Sequence, residues 1–203
     1  MHIPKYKTTE IDVLTFDDAQ KSKSKNSYDK NRWIYVPDFY SEYRYILGTR
    51  GERPLICIGI NPSTAEPDNL DNTLKSVERI SNTNGFDSFI MFNVYAQRAT
   101  NPDDMEKEFN VTLHNENMKA FEYILKQSEK PAVWAAWGNI IEKREYLFYC
   151  VKDMIDIGKK HNATWYSCGK ISKLGHPHHP LYLNKNLKID KFDIDEYINR
   201  FLK

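Results

Sequence analysis

The sequence predicts an α/β protein, a three-layer α/β/α sandwich around a central, mainly parallel sheet of about four strands. Three observations carry this expectation. Apolar runs of strand length alternate with stretches of helical periodicity, the order that parallel neighbours require because each needs a crossover between them. The runs are apolar on both faces, as in Leu55 to Ile60 (L-I-C-I-G-I), which suits strands covered by helices on two sides. With 203 residues and no Pro/Gly/Ser-rich linker, the chain has the length of a single domain with a substantial core.

Each element has its own signature. Residues 1–42 read as a poorly defined N-terminal extension, whose charged run K-S-K-S-K-N-S-Y-D-K-N-R is a solvated loop with no assigned function. The α/β core spans 43–203 and opens with Y-R-Y-I-L-G, a turn T-R-G-E-R-P and the run from Pro54, together expected as a β-hairpin. Leu74, Val77 and Ile80 then recur at helical spacing until Asn84-Gly85 stops them. A second run, Phe89 to Val94, follows directly. A helix from about Leu113 to Gln127 places Met118, Phe121 and Leu125 on one stripe, and Ala132 to Trp137 is the third run, ending at Gly138. Residues near Ile140 to Lys160 return to helical spacing through Leu147, Val151, Met154 and Ile155. Ala163 to Cys168 is the fourth run, and Asp193 with Glu196 has capping-box spacing before a C-terminal amphipathic helix.

Composition excludes several classes. Basic and acidic residues nearly cancel, 29 against 28, so no global charge draws the chain to nucleic acid. Locally, residues 62–110 carry a net charge of −5 and residues 159–191 a net of +6, and a lysine-rich face suits a phosphate backbone as well as plain solvent. No secretion signal opens the chain and no segment approaches the roughly 20 apolar residues of a membrane span, so a soluble cytoplasmic protein is expected. Cys57, Cys150 and Cys168 are isolated and read as reduced core thiols. The three histidines of H-P-H-H-P have no Asp, Glu or Cys at ligand spacing beside them, so no metal is expected.

In open parallel sheets, ligands settle outside the carboxyl ends of the strands. Across that edge the sequence delivers Asn61 after the first run, Asn93 at the end of the second, Gly138 and Asn139 after the third, and His176 after the fourth. Each also has an ordinary reading, since asparagine and glycine are turn residues. Asp68 and Asp71 precede a helix, where capping accounts for carboxylates without chemistry.

Taken together, four short motifs resemble the uracil-DNA glycosylase superfamily, in its mismatch-specific and thymine branches. G-I-N-P at 59–62 resembles the water-positioning loop, and N-V-Y-A-Q-R-A-T-N-P from Asn93 a conserved strand end of that superfamily. A-A-W-G-N resembles its third strand, and G-H-P-H-H-P-L-Y-L its C-terminal His-Pro loop. The combination N-P-S-T-A, R-A-T-x-P and H-P-x-H-P-L-Y is closer still to an uncharacterised bacterial family of unknown function. Ser63 stands where the glycosylase branch has a glycine, and His178 and His179 where it has small residues.

The resemblance implies a uracil-DNA glycosylase-like fold and a nucleobase-recognising hydrolase that cleaves an N-glycosidic bond in nucleic acid or a nucleotide. It implies catalytic roles for Asn61 and His176 and base reading by Asn93; with the strand-end edge and the basic face beside it, Ser63, Thr64, Gly138 and Asn139 are further base or substrate contacts, and Arg98, Lys170 and Lys173 phosphate contacts. Three unclustered cysteines exclude the iron–sulfur version, so no cofactor is expected. The expected partner is nucleic acid or a nucleotide. Two alternatives stand beside this one: a non-catalytic nucleotide- or nucleic-acid-binding module on the same fold, and a nucleotide-modifying enzyme using Asp71 or a histidine as base.

Overall fold

The computed structural model describes residues 1–4, 10–23, 28–184 and 186–202. Its strands are β1 (Trp33–Val36), β2 (Ile46–Thr49), β3 (Pro54–Gly59), β4 (Ser88–Asn93), β5 (Ala132–Ala135), β6 (Thr164–Cys168) and β7 (Ile189–Lys191). Its helices are α1 (Phe16–Lys21), α2 (Asn72–Thr83), α3 (Val111–Leu125), α4 (Tyr146–Lys160) and α5 (Ile194–Phe201). One mixed sheet runs in the order β1-β2-β4-β3-β5-β6-β7. The four apolar runs of the sequence form its parallel centre, β3 pairing with β4 and β5, and β5 with β6.

The sheet has seven strands rather than about four, because antiparallel β1, β2 and β7 extend its edges. These strands are only three or four residues long, too short for their periodicity to separate them from loops. The expected β2–β3 hairpin does not form. Both sides of β3 are taken by parallel neighbours, so β2 pairs instead with β1 and with β4, Leu47 opposite Met91. Gly48 permits that approach, since a Cβ there would lie 2.3 Å from the Phe89 carbonyl oxygen. The 50–53 turn is held at the start of β4 by the Asp87 carboxylate, which accepts from the Arg53 N–H at 2.9 Å and the Glu52 N–H at 3.1 Å.

Strand alternation sorts the core into two faces. Leu55, Cys57, Met91 and Trp134 meet Leu74, Val77 and Ile80 of α2 on one side. Ile56, Ile58, Ile90, Phe92 and Val133 meet α1, α3, α4 and α5 on the other. Each fully buried Leu, Ile or Val contributes about 1.5–3 kcal/mol. The layers are therefore unequal, with one long helix covering the β3–β4 side. Asp71 caps α2 by accepting from the Leu74 N–H at 2.9 Å, and Gly85, at φ +81°, allows the chain to leave it.

Residues 1–42 are not merely an extension. They supply α1 and β1, and Phe16, Ala19, Trp33, Tyr35 and Val36 are buried in the two cores. Part of the lysine–serine run, residues 24–27, lies outside the described residues. The helix expected from Ile140 is also interrupted. Gly138, at φ +63°, opens a 3-10 turn to Lys143, and extended Arg144 separates it from α4 while donating to the carbonyls of Asp103, Met105 and Glu106. All three cysteines are buried and unpaired, Cys57 in β3, Cys150 in α4 and Cys168 at the end of β6. Among the described residues no helix is long and apolar enough to cross a membrane.

Candidate functional site

The connections leaving β3 and β4 do not diverge at the end of the sheet. The Val94 and Tyr95 N–H groups donate to the Gly59 and Ile60 carbonyls, and the Ala99 N–H to the Pro62 carbonyl, each at 2.9 Å. Asn61 locks this seam, its Nδ2 donating to the carbonyls of Ala99 at 2.7 Å and Pro62 at 3.1 Å. Two carbonyl acceptors fix the amide orientation, so Oδ1 is left with no donor among the described residues.

Beside the seam lies a cavity of about 400 Å³. Asn61, Ser63 and Thr64 line it from the first loop, Asp71 to Leu74 from the start of α2, and Thr100 from the loop after β4. Met91 and Asn93, two residues apart on one face of β4, line it from the sheet. Asn93 is fully buried, yet neither its Oδ1 nor its Nδ2 has a hydrogen-bond partner. Gly59 sits opposite it in the parallel register, and a Cβ at Gly59 would come within 2.5 Å of Met91 Cε and 3.4 Å of Asn93 Oδ1. The glycine of G-I-N-P thus leaves room for these two side chains.

Arg44 closes the deep wall. Its backbone and that of Arg98 are pinned together where residues 42–44 run antiparallel to 96–98, with Arg44 N–H donating to the Ala96 carbonyl and Arg98 N–H to the Glu42 carbonyl. Both guanidinium groups donate to the Ala65 carbonyl, Arg44 at 3.1 Å and Arg98 at 3.4 Å. Arg98 also donates to the Ser63 carbonyl and to Tyr35 Oη, and lies over the Tyr40 ring. Expected at a phosphate, Arg98 is instead wholly buried behind the Asn-Pro loop, which it braces from within.

The His-Pro loop brings a different histidine to the cavity than the resemblance implies. His176 is completely buried and does not line it. Its Nδ1 lies 2.9 Å from Tyr197 Oη and its Nε2 3.0 Å from Glu142 Oε1. Because the Trp137 indole N–H also donates to Tyr197 Oη, at 3.0 Å, the Tyr197 hydroxyl donates onward to Nδ1 and the Nε2–H to Glu142. This chain of bonds ties α5 to the loop. His176→Ala is accordingly expected to lower unfolding free energy by about 2–3 kcal/mol in urea titrations, through lost packing and a stranded hydroxyl. A variant that melts like the wild type would remove this structural role.

His179 does line the cavity. Burial pushes its pKa down to about 4, with the Asp71 carboxylate pulling weakly the other way, so the ring is neutral at physiological pH. Its Nδ1 accepts from the Leu181 N–H at 3.4 Å, which puts the ring proton on Nε2. Gly138 and Asn139 support this loop rather than touching the cavity. A Cβ at Gly138 would lie 3.3 Å from that of His179, and Asn139 Oδ1 accepts from Ser172 Oγ at 2.7 Å. The three imidazoles of H-P-H-H-P do not converge. Lys170 and Lys173 are exposed and away from the cavity.

Sequence reasoning brought Asn61, Ser63, Thr64 and Asn93 to one cavity and missed Arg44 and His179. The signal for Arg44 was present, as a lone cation inside the otherwise apolar Y-R-Y-I-L run. Fold and site together define an α/β protein with a crevice at the carboxyl edge of its parallel strands. A family model described as "Protein of unknown function (DUF1643)" matches residues 44–181, and the chain belongs to that family. The matched segment begins and ends on lining residues of the cavity, Arg44 and Leu181. Comparison with curated proteins and with solved structures gives no match.

Proposed function

We propose that the crevice recognises a nucleobase and hydrolyses the N-glycosidic bond that carries it. The observation carrying this reading is Asn93, a fully buried amide with a donor and an acceptor both unsatisfied at the edge of a cavity. Leaving such atoms unpaired costs about 1–3 kcal/mol, and an amide pair matches the hydrogen-bonding edge of a base. A volume of about 400 Å³ lies within the range of small-ligand sites.

Asn61 holds the attacking water through Oδ1. An amide takes up no proton near neutral pH, so its part is orientation, while the strain of bond breaking falls on an oxocarbenium-like sugar. The water oxygen bonds to the anomeric carbon as the carbon–nitrogen bond breaks. The bonding pair leaves on the base, and the water's proton passes to solvent. His179 Nε2–H donates toward the departing base, the part that the glycosylase resemblance gives to His176.

A second reading, a binding module without chemistry, is favoured by the tethering of His176 between Glu142 and Tyr197. Incubation with deaminated, alkylated and hypermodified bases, in single- and double-stranded DNA and as free nucleotides, separates the two. Released base supports hydrolysis. Binding without release supports the module.

A further inference from the structure

The cavity holds one feature that base recognition and hydrolysis leave unused. Arg44 is 1% exposed, and among the described residues the Ala65 carbonyl is the only acceptor its guanidinium has. Its Nε is buried without a partner and its Nη2 makes no hydrogen bond. No carboxylate lies within ion-pair distance of Arg44 or of Arg98 among the described residues, although both cations are buried side by side. A buried guanidinium left uncompensated is costly, and here a like charge adds to the cost. Burial first and Arg98 second push the Arg44 pKa down to about 9, which still leaves it charged at neutral pH; the pull of Asp71 the other way is smaller than the push of Arg98.

A second set of donors faces the same space. The cavity is lined by the first residues of α2, a helix of 12 residues whose N-terminal N–H groups carry partial positive charge. Asp71 Oδ1 is taken by the Leu74 N–H and its carbonyl by the Lys75 N–H. The N–H groups of Asn72 and Thr73 and the Thr73 hydroxyl have no acceptor among the described residues. Arginine and helix-end donors around one cavity match a tetrahedral anion with three terminal oxygens better than a planar carboxylate with two.

We infer that the ligand of the crevice is a free nucleoside monophosphate, its base read by Asn93 and its phosphate held between Arg44 and the N-terminus of α2. This rests on the nucleobase reading of the same site, and it narrows the substrate from nucleic acid to the mononucleotide. A lone phosphate completes the donor set, and a cavity of this volume takes a single nucleotide.

Calorimetric titration of the full chain decides the matter, with the four common nucleosides, their 5′-monophosphates and inorganic phosphate as probes. For the preferred base, the monophosphate is expected to bind at least about tenfold tighter than the nucleoside, and inorganic phosphate to compete with it. In Arg44→Gln that preference is expected to shrink below about threefold. Should this variant fail to fold, the wild-type ratio and the phosphate competition decide alone. Equal affinity for nucleoside and monophosphate overturns the phosphate site and leaves the base reading standing. Equal affinity for all four monophosphates and for inorganic phosphate overturns base reading and leaves the phosphate site. No binding of any probe overturns the inference as a whole.

Discussion

Asn93→Leu is expected to make the protein more stable and its site blind. The two side chains share one branched skeleton, the adjoining cavity has room for leucine's larger methyl groups, and leucine removes an amide whose two polar atoms are buried without partners. Relief of that desolvation stabilises the fold by about 1 kcal/mol, which for a chain of this length raises Tm by about 2–4 °C. The same change deletes the donor and acceptor offered to a base, so affinity for the preferred nucleotide falls on the order of a hundredfold. Thermal melting and calorimetric titration on one preparation read both effects. Their opposite signs carry the argument, because an asparagine that merely closes a strand-end turn would lose stability on substitution.

Asn61→Ala is expected to lower turnover on the order of a hundredfold while KM changes little. In the proposed mechanism Oδ1 places the water, so its loss is expected to be felt as the carbon–nitrogen bond breaks and not when the ligand enters. The variant also loses the Nδ2 bonds to the Ala99 and Pro62 carbonyls, but the three backbone N–H bonds of the seam remain. Single-turnover base release, with the nucleotide saturating, measures the step directly. Release at the wild-type rate would remove Asn61 from the chemistry.

What the sequence made legible followed from burial on two faces. Leu55 to Ile58 and Phe89 to Phe92 are apolar at every position because both sides of β3 and β4 are covered, and Ala132 to Ala135 of β5 follow the same rule. β1 and β7 lie at the edges, where Asp190 and Lys191 leave β7 no apolar pattern and the four residues of β1 are too few to set one. Asn61 and Asn93 were found because polar residues that end buried strands stand out. Arg44 was overlooked because an arginine ordinarily marks exposure, and only the pairing of 42–44 with 96–98 turns it inward. His176 and His179 are three residues apart in one loop, and prolines on either side leave no periodicity to say which ring enters the cavity. The turn at Gly138 and the anchoring of Ser172 on Asn139 decide it.

The buried thiols give this fold a set of internal clocks. Alkylating reagents attack the thiolate, and burial raises the pKa of all three cysteines, Cys168 to about 11. With all three sulfurs buried, the native chain is expected to be silent to maleimide, and each labelling event to time an opening of the element that holds the sulfur. Cys57 sits in the central strand beneath α2, Cys168 on the same face nearer the sheet edge, and Cys150 in α4 behind the opposite face. Mass spectrometry of the three modified peptides would resolve whether the crevice wall loosens alone or only when the whole domain unfolds. A bound ligand would slow the Cys57 clock more than the Cys150 clock if the two faces open separately.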